Sequence, residues 1–259
     1  MEQTSDASSS WGAPLEEVAA STIVAQRAVV WHAQTREELF SRSGDVQGPV
    51  ASTQKLLTAL VVWRAGSLDK SVTILEEDLE CMPYHLGLCP GERATRLELL
   101  HALLLASSND AAMALARDIA GSIEAFADRM NLEAQACGMV HSHFVNPHGL
   151  PDERQYSTAR DVAKLAYEID QIPLLRSIVK AREHRLARGD GSSILLTNRN
   201  RLLHELPGCD GVKTGFTRAA GFCLVASAGE GVARRIAVIL NSTEFAVWDD
   251  AKALLSWNF

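Results

Sequence analysis

The chain changes its hydrophobic period twice. Ile23 to Ala33 and Glu37 to Ser43 are short segments rich in Val, Ile and Phe, separated by a polar break, which predicts a β-hairpin. From Ser52 to about Gly189 the pattern turns helical. Thr53 to Trp63 carries Leu56, Leu57, Ala59, Leu60, Val61, Val62 and Trp63, apolar on nearly every face, and predicts a helix buried on all sides. A reactive group at its start would be held rigidly. Leu97 to Ala106, Ala111 to Ala120 and Ile123 to Cys137 read as amphipathic helices, the last stopped by Gly138. Ser157 and Thr158 cap a helix running to about Ile169, and Pro173 opens a short successor. Beyond Gly208 the pattern is strand-like again, at Gly211 to Thr214, Gly221 to Ala228 and Ala233 to Leu240, before a closing helix from Glu244 to Trp257.

Strands at both ends with helices between them predict an α+β fold. The termini, residues 23–50 and 208–259, would build one sheet, residues 51–190 would form an all-helical lobe, and a cleft would lie at the junction. Composition narrows this only by exclusion. The chain has 259 residues, 47% hydrophobic, and no apolar run approaching the roughly 18 residues of a membrane span. The net charge of −7 argues against nucleic acid as a partner, because phosphate binding needs a basic surface. Residues 1–22 read as a leader, polar and disordered at its start, without the basic start and apolar stretch of a secretory signal. Either the protein stays inside the cell, or an export signal was removed or lost through a misassigned start.

Three short motifs could carry chemistry. Ser52 and Lys55 form a Ser-x-x-Lys, which sets a hydroxyl and an amine one helical turn apart on one face. A lysine kept neutral by burial beside another cation can take the serine proton. Ser67 with Lys70 and Ser177 with Lys180 repeat the pattern, but only Ser52 opens the buried helix. Ser107 and Asn109 give a Ser-x-Asn between two helices, which reads equally as a helix stop followed by an N-cap. Lys213, Thr214 and Gly215 lie on an expected strand, where a lone lysine also serves to guard a sheet edge.

In this order, each in its proper element, the three motifs resemble those of penicillin-recognising serine acyltransferases. NPHGL (146–150), STARD (157–161), NRNRLL (198–203), DGVKTGFTRAAGFCLVASA (210–228) and the ending LLSWNF narrow the resemblance to the D-alanyl-D-alanine carboxypeptidase family of low-molecular-mass penicillin-binding proteins, over roughly residues 25–259. The resemblance implies a five-stranded antiparallel sheet with flanking helices plus an all-helical lobe. It assigns Ser52 as nucleophile, Lys55 as general base and Ser107 as the relay to the leaving amine. Asn109 would hold the substrate amide, Lys213, Thr214 and Gly215 would bind the terminal carboxylate region, and Thr217 would add a contact there. The backbone N–H groups of Ser52 and Phe216 would form the oxyanion hole, using only the backbone of Phe216.

The substrate so implied is a peptidoglycan stem peptide ending in D-Ala-D-Ala, with β-lactams as covalent inhibitors and no cofactor; the residues themselves give no metal site, no nucleic-acid partner and no visible membrane anchor. The substrate lies outside the cytoplasm, so the resemblance implies a periplasmic or extracellular protein against the evidence of the N-terminus. Four rivals follow from the residues. A DD-endopeptidase shares every motif. A β-lactamase of the best-known class needs a Glu-x-x-x-Asn, and no Glu in the chain has Asn four residues later. A metal hydrolase is suggested by His141, His143 and His148, without the helical His-Glu-x-x-His spacing. A non-catalytic binder of cell-wall peptide would keep the same motifs. Among the five cysteines, Cys81 and Cys89 flank a short loop and could be bridged, worth about 2.5 kcal/mol, or remain free thiols.

Overall fold

The structure, a computed structural model, describes residues 22–81, 85–188 and 191–256, so all but the last residue of the expected leader lies outside the described residues. β1 (Arg27–His32) and β2 (Glu38–Arg42) form the N-terminal hairpin. A 3-10 turn (Ala51–Gln54) leads into α1 (Lys55–Ala65). β3 (Ser71–Thr73) and β4 (Arg93–Thr95) make a small ribbon, followed by α2 (Arg96–His101), a π-helical turn (Ala102–Ala106), α3 (Asn109–Ala120) and α4 (Ile123–Ala136). α5 (Ala159–Asp170) and α6 (Pro173–Lys180) precede a second ribbon, β5 (Glu183–Ala187) with β6 (Ser193–Thr197), and the short α7 (Leu202–Glu205). β7 (Cys209–Thr217), β8 (Gly221–Ala228), β9 (Arg235–Ser242) and α8 (Ala246–Ser256) complete the described chain.

The N- and C-terminal strands join in one five-stranded antiparallel sheet, in the order β2-β1-β9-β8-β7, as expected. Their period of two sorts each strand between two cores. Val29, Trp31, Val225, Ile236 and Val238 face the helical lobe, whereas Ala28, Val30, Leu224, Ala226, Ala237 and Ile239 pack with Val247, Ala251 and Leu254 of α8. Both faces are therefore covered. β7 is left at the edge, and that edge fronts the helical lobe.

The central segment departs from its all-helical expectation by carrying the two ribbons β3–β4 and β5–β6. Their signal is weak because the strands are only three to five residues long and each buries a single side chain. Only Leu186 and Leu196 are buried in the second ribbon, and Val72 and Ala94 in the first. β7 is longer than the four residues expected, since Asp210 and Gly215, poor strand formers at its two flanks, are nevertheless held in the strand by β7's register with β8. The closing helix begins at Ala246, two residues later than expected. All five cysteines are free, so Cys81 and Cys89 are not bridged. Among the described residues, no helix is long and apolar enough to cross a membrane.

Candidate active site

α1 is buried on every side, from Lys55 to Val62, as its sequence predicts. The preceding turn holds Ser52 one helical turn before Lys55, with Ala51 in a left-handed conformation at φ 49°. The NPHG segment wraps this corner. Gly149, at φ 90°, lies against the Ala51 carbonyl, where any Cβ would collide. Thr58 Oγ1 donates to the Pro147 carbonyl at 2.6 Å, and Gln54 Nε2 donates to the Asn146 carbonyl at 2.6 Å. From the other side Gly215 of β7 approaches, and a Cβ there would stand 2.9 Å from the Ser52 nitrogen. Two glycines thus admit backbone on both sides of the serine amide.

The wide π turn ends helix α2 abruptly and places Ser107 in a left-handed conformation, φ 62°. Ser108 then caps α3 by accepting from Ala111 N–H at 3.2 Å, so the N-cap reading of this stretch is correct for Ser108. Ser107 and Asn109 are thereby freed to point elsewhere. Asp110 anchors the loop above them, its carboxylate accepting from Ser108 Oγ and from Leu86 N–H at 2.9 Å.

The three motifs converge in space. Lys55 Nζ lies 2.9 Å from Ser52 Oγ, 2.7 Å from Asn109 Oδ1 and 2.6 Å from the His148 carbonyl. Lys213 Nζ reaches Ser107 Oγ at 2.9 Å and the Thr214 carbonyl at 3.0 Å. Burial, with Lys213 adding to it, holds the Lys55 amine well below the ordinary lysine range. Burial and then Arg199 bring Lys213 down to about 7. A neutral amine offers two N–H groups and one lone pair. The Asn109 and His148 oxygens can only accept, so they take the two N–H groups of Lys55. The lone pair is left for the Ser52 hydroxyl.

Ser52, Ser107, Thr214, Gly215 and Phe216 line one cleft together with Arg199. A second groove, lined by Ala51, Gly149, Pro151, Glu153, Tyr156 and Ala219, opens beside the residue preceding the serine. The Thr217 hydroxyl accepts from Ala220 N–H at 3.0 Å, which leaves its O–H free to donate. The other two Ser-x-x-Lys pairs lie apart: Lys70 pairs with Asp118 at 2.8 Å, and Ser177 Oγ donates to the Leu174 carbonyl.

Two contributors lie in segments that carry the family resemblance, NRNRLL and NPHGL, but the sequence assigns them no role at this site. Arg199 sits between Asn198 and Asn200, both buried. Asn200 Nδ2 donates to the Gly211 carbonyl at 2.7 Å, and Arg199 N–H to the Leu105 carbonyl at 3.3 Å, tying β7 to the turn that presents Ser107. His148 acts through its carbonyl; burial and then Lys55 push its imidazole down to about 3, and its Nδ1 accepts from Leu150 N–H at 3.1 Å. His143 Nδ1 meets the Arg154 carbonyl, and among the described residues no group of His, Cys, Asp and Glu is placed to hold a metal ion.

The profile described as D-alanyl-D-alanine carboxypeptidase matches residues 15–244. The chain belongs to this family. It is 34% identical over 226 residues to D-alanyl-D-alanine carboxypeptidase DacF of Bacillus subtilis, covering 85% of this chain and 58% of that protein. It is also 34% identical over 218 residues to a D-alanyl-D-alanine endopeptidase of Pseudomonas aeruginosa, covering 83% of this chain and 69% of that protein. The crystal structure of the Streptomyces K15 DD-transpeptidase superposes with a TM-score of 0.85 at 31% identity, over 91% of this chain and 97% of that one. The chain thus spans less than two thirds of DacF, and its relatives in this serine DD-peptidase family carry carboxypeptidase, endopeptidase and transpeptidase names.

Proposed function

We propose that this protein is a serine D-alanyl-D-alanine carboxypeptidase that removes the terminal D-Ala from peptidoglycan stem pentapeptides through a Ser52 acyl-enzyme. The arrangement of Lys55 carries the proposal: two fixed acceptors consume its N–H groups and aim its lone pair at Ser52 Oγ, 2.9 Å away. Lys55 takes the hydroxyl proton as Ser52 Oγ bonds to the carbonyl carbon of the penultimate D-Ala. The oxyanion so formed is stabilised by the Ser52 and Phe216 N–H groups, each worth about 3 kcal/mol. When the C–N bond breaks, Ser107, held by Lys213, relays that proton from Lys55 to the departing nitrogen, which leaves Lys55 neutral again. Water then hydrolyses the ester, with Lys55 again accepting the proton.

Lys213, Thr214 and Gly215 place cationic and polar groups where the substrate's terminal carboxylate would lie, and Thr217 adds a contact at the turn. Asn109 holds the acyl-side amide. β-Lactams present the same carboxylate and carbonyl, and acylate Ser52. No Glu in the chain has Asn four residues later, the pattern with which the best-known β-lactamases activate the deacylating water, so the β-lactam ester persists and inhibits. The substrate places the protein in the periplasm or outside the cell. Cleavage of peptide cross-links is the second reading, favoured by the open cleft beyond Ser107.

Incubation with a fluorescent penicillin and with a pentapeptide tests the proposal. The protein is expected to label covalently and release D-alanine. Ser52→Ala is expected to lose both while keeping its circular dichroism spectrum. Retained labelling of that variant would overturn the nucleophile assignment.

A further inference from the structure

The cleft that contains Ser52 and Ser107 continues past them around the edge of β7. There it is lined by Phe216 and Phe222, a cross-strand pair with ring centroids 4.3 Å apart, by Val247 and Trp248 at the start of α8, and by the acidic Glu244 just before it. Phe216 stands at the sheet edge and is 39% exposed. The Trp248 ring is steadied by Arg201, whose guanidinium lies 5.2 Å from its centroid.

Departing D-alanine has no use for such a wall. Its side chain is one methyl group, whereas this cleft has a volume of about 540 Å³. The groups assigned to the departing half of the substrate, Ser107 for its nitrogen and Thr214 for its carboxylate, line this cleft, and Asn109, assigned to the acyl half, does not. The aromatic wall therefore adjoins the residue that leaves.

We infer that Phe216, Phe222 and Trp248 form a leaving-group subsite for a D-configured residue carrying an unbranched alkyl side chain of several methylenes. This rests on the Ser52 acyl-transfer reading and adds a selectivity to it. Covering methylenes with aromatic carbon removes apolar surface from water, and the gain appears in kcat/KM, chiefly through KM. Two substrates supply that chemistry. One is a linear peptide ending in a long aliphatic D-residue. The other is a cross-link whose departing residue is the D-centre of a diamino acid, its alkyl chain running on into a second stem peptide.

The test compares diacetyl-L-Lys-D-Ala-D-Ala with diacetyl-L-Lys-D-Ala-D-norleucine, and pentapeptide monomer with purified cross-linked muropeptide dimer. Penicillin labelling of the same preparations measures competent Ser52. The D-norleucine peptide is expected to have a kcat/KM about tenfold higher than the D-Ala peptide, with most of the difference in KM. Trp248→Ala is expected to bring that ratio close to one, and Trp248→Phe to keep most of it. Preference for both D-norleucine and the dimer assigns the subsite to cross-links; preference for D-norleucine with an uncut dimer assigns it to linear peptides. A protein that labels with penicillin but cleaves the D-norleucine peptide no faster than the D-Ala peptide overturns the subsite and leaves the acyl-transfer reading standing. A protein that neither labels nor cleaves overturns both.

Discussion

Two buried polar clusters hang on the same strand, three residues apart, and are built on opposite principles. At the start of β7, Asp210 accepts from Arg234 Nη1 at 2.6 Å and from Ser227 Oγ at 2.7 Å, and Arg234 Nη2 reaches Asp170 at 2.5 Å. Burial raises the Asp210 pKa, but the bonds from Arg234 and Ser227 outweigh it and hold the carboxylate below its usual range. Every charge there meets its opposite. Further along, Lys213 and Lys55 are both wholly buried, and among the described residues neither has a carboxylate within ion-pair distance. The first cluster is satisfied internally and ties the sheet to α5 and α6. In the second, two amines are left without a counter-charge, at a cost in stability, Lys213 available to an incoming carboxylate and the neutral Lys55 to a reacting serine.

The sharpest way to break this contrast is to remove one member from each cluster. Lys55→Met is expected to lower kcat/KM on pentapeptide by about 10³-fold, the scale of a lost general base, with no loss of thermal stability. Asp210→Ala leaves Arg234 and Arg176 facing a buried gap, and is expected to cost about 3 kcal/mol, seen as a Tm lower by roughly 10 °C in calorimetry. Equal effects of the two changes on Tm would erase the distinction between the clusters.

Lys213 sharpens the comparison through pH. Its folded pKa of about 7 lies below that of an unfolded lysine, so between the two values the unfolded chain holds the extra proton. Stability therefore rises as pH increases through this window. Lys213→Met is expected to be more stable than the parent by about 2 kcal/mol at pH 7, the gap closing as pH approaches 10. Denaturant titrations at several pH values measure it. Activity runs the opposite way: the carboxylate anchor loses its proton as pH rises, so the kcat/KM profile of the parent is expected to fall above about 7. In Lys213→Arg, where the cation does not titrate, that basic limb is expected to vanish.

Much of this site could be read from the chain. Ser52 was separable from Ser67 and Ser177 because only its neighbours are apolar on every helical face, and burial of that helix is a local property of the sequence. The sheet was also legible, since Val29/Val30 and Ile236 to Leu240 carry strong β signals at both ends. The ribbons β3–β4 and β5–β6 were not, because strands of three to five residues that each bury a single side chain are too short to establish a period. Arg199 and the His148 carbonyl escaped for another reason. One is a charged residue in a charged stretch and the other acts through backbone, and neither role has a residue-type signature.

The sequence by itself determined which residues could do chemistry: a serine and a lysine one turn apart on a buried helix, a Ser-x-Asn at a helix start, and a Lys-Thr-Gly on a strand. Those are relations over a few residues, set by the geometry of the chain. Only the tertiary structure decided how they act together. The Lys213 amine meets Ser107 across 106 positions of sequence, and Lys55 is squeezed between Asn109 and His148 by packing of separate elements. The depressed lysine pKa values follow from burial and from charges brought close by folding. Such long-range proximity is written in no short motif, because it depends on how the sheet edge and the helical lobe close on one another.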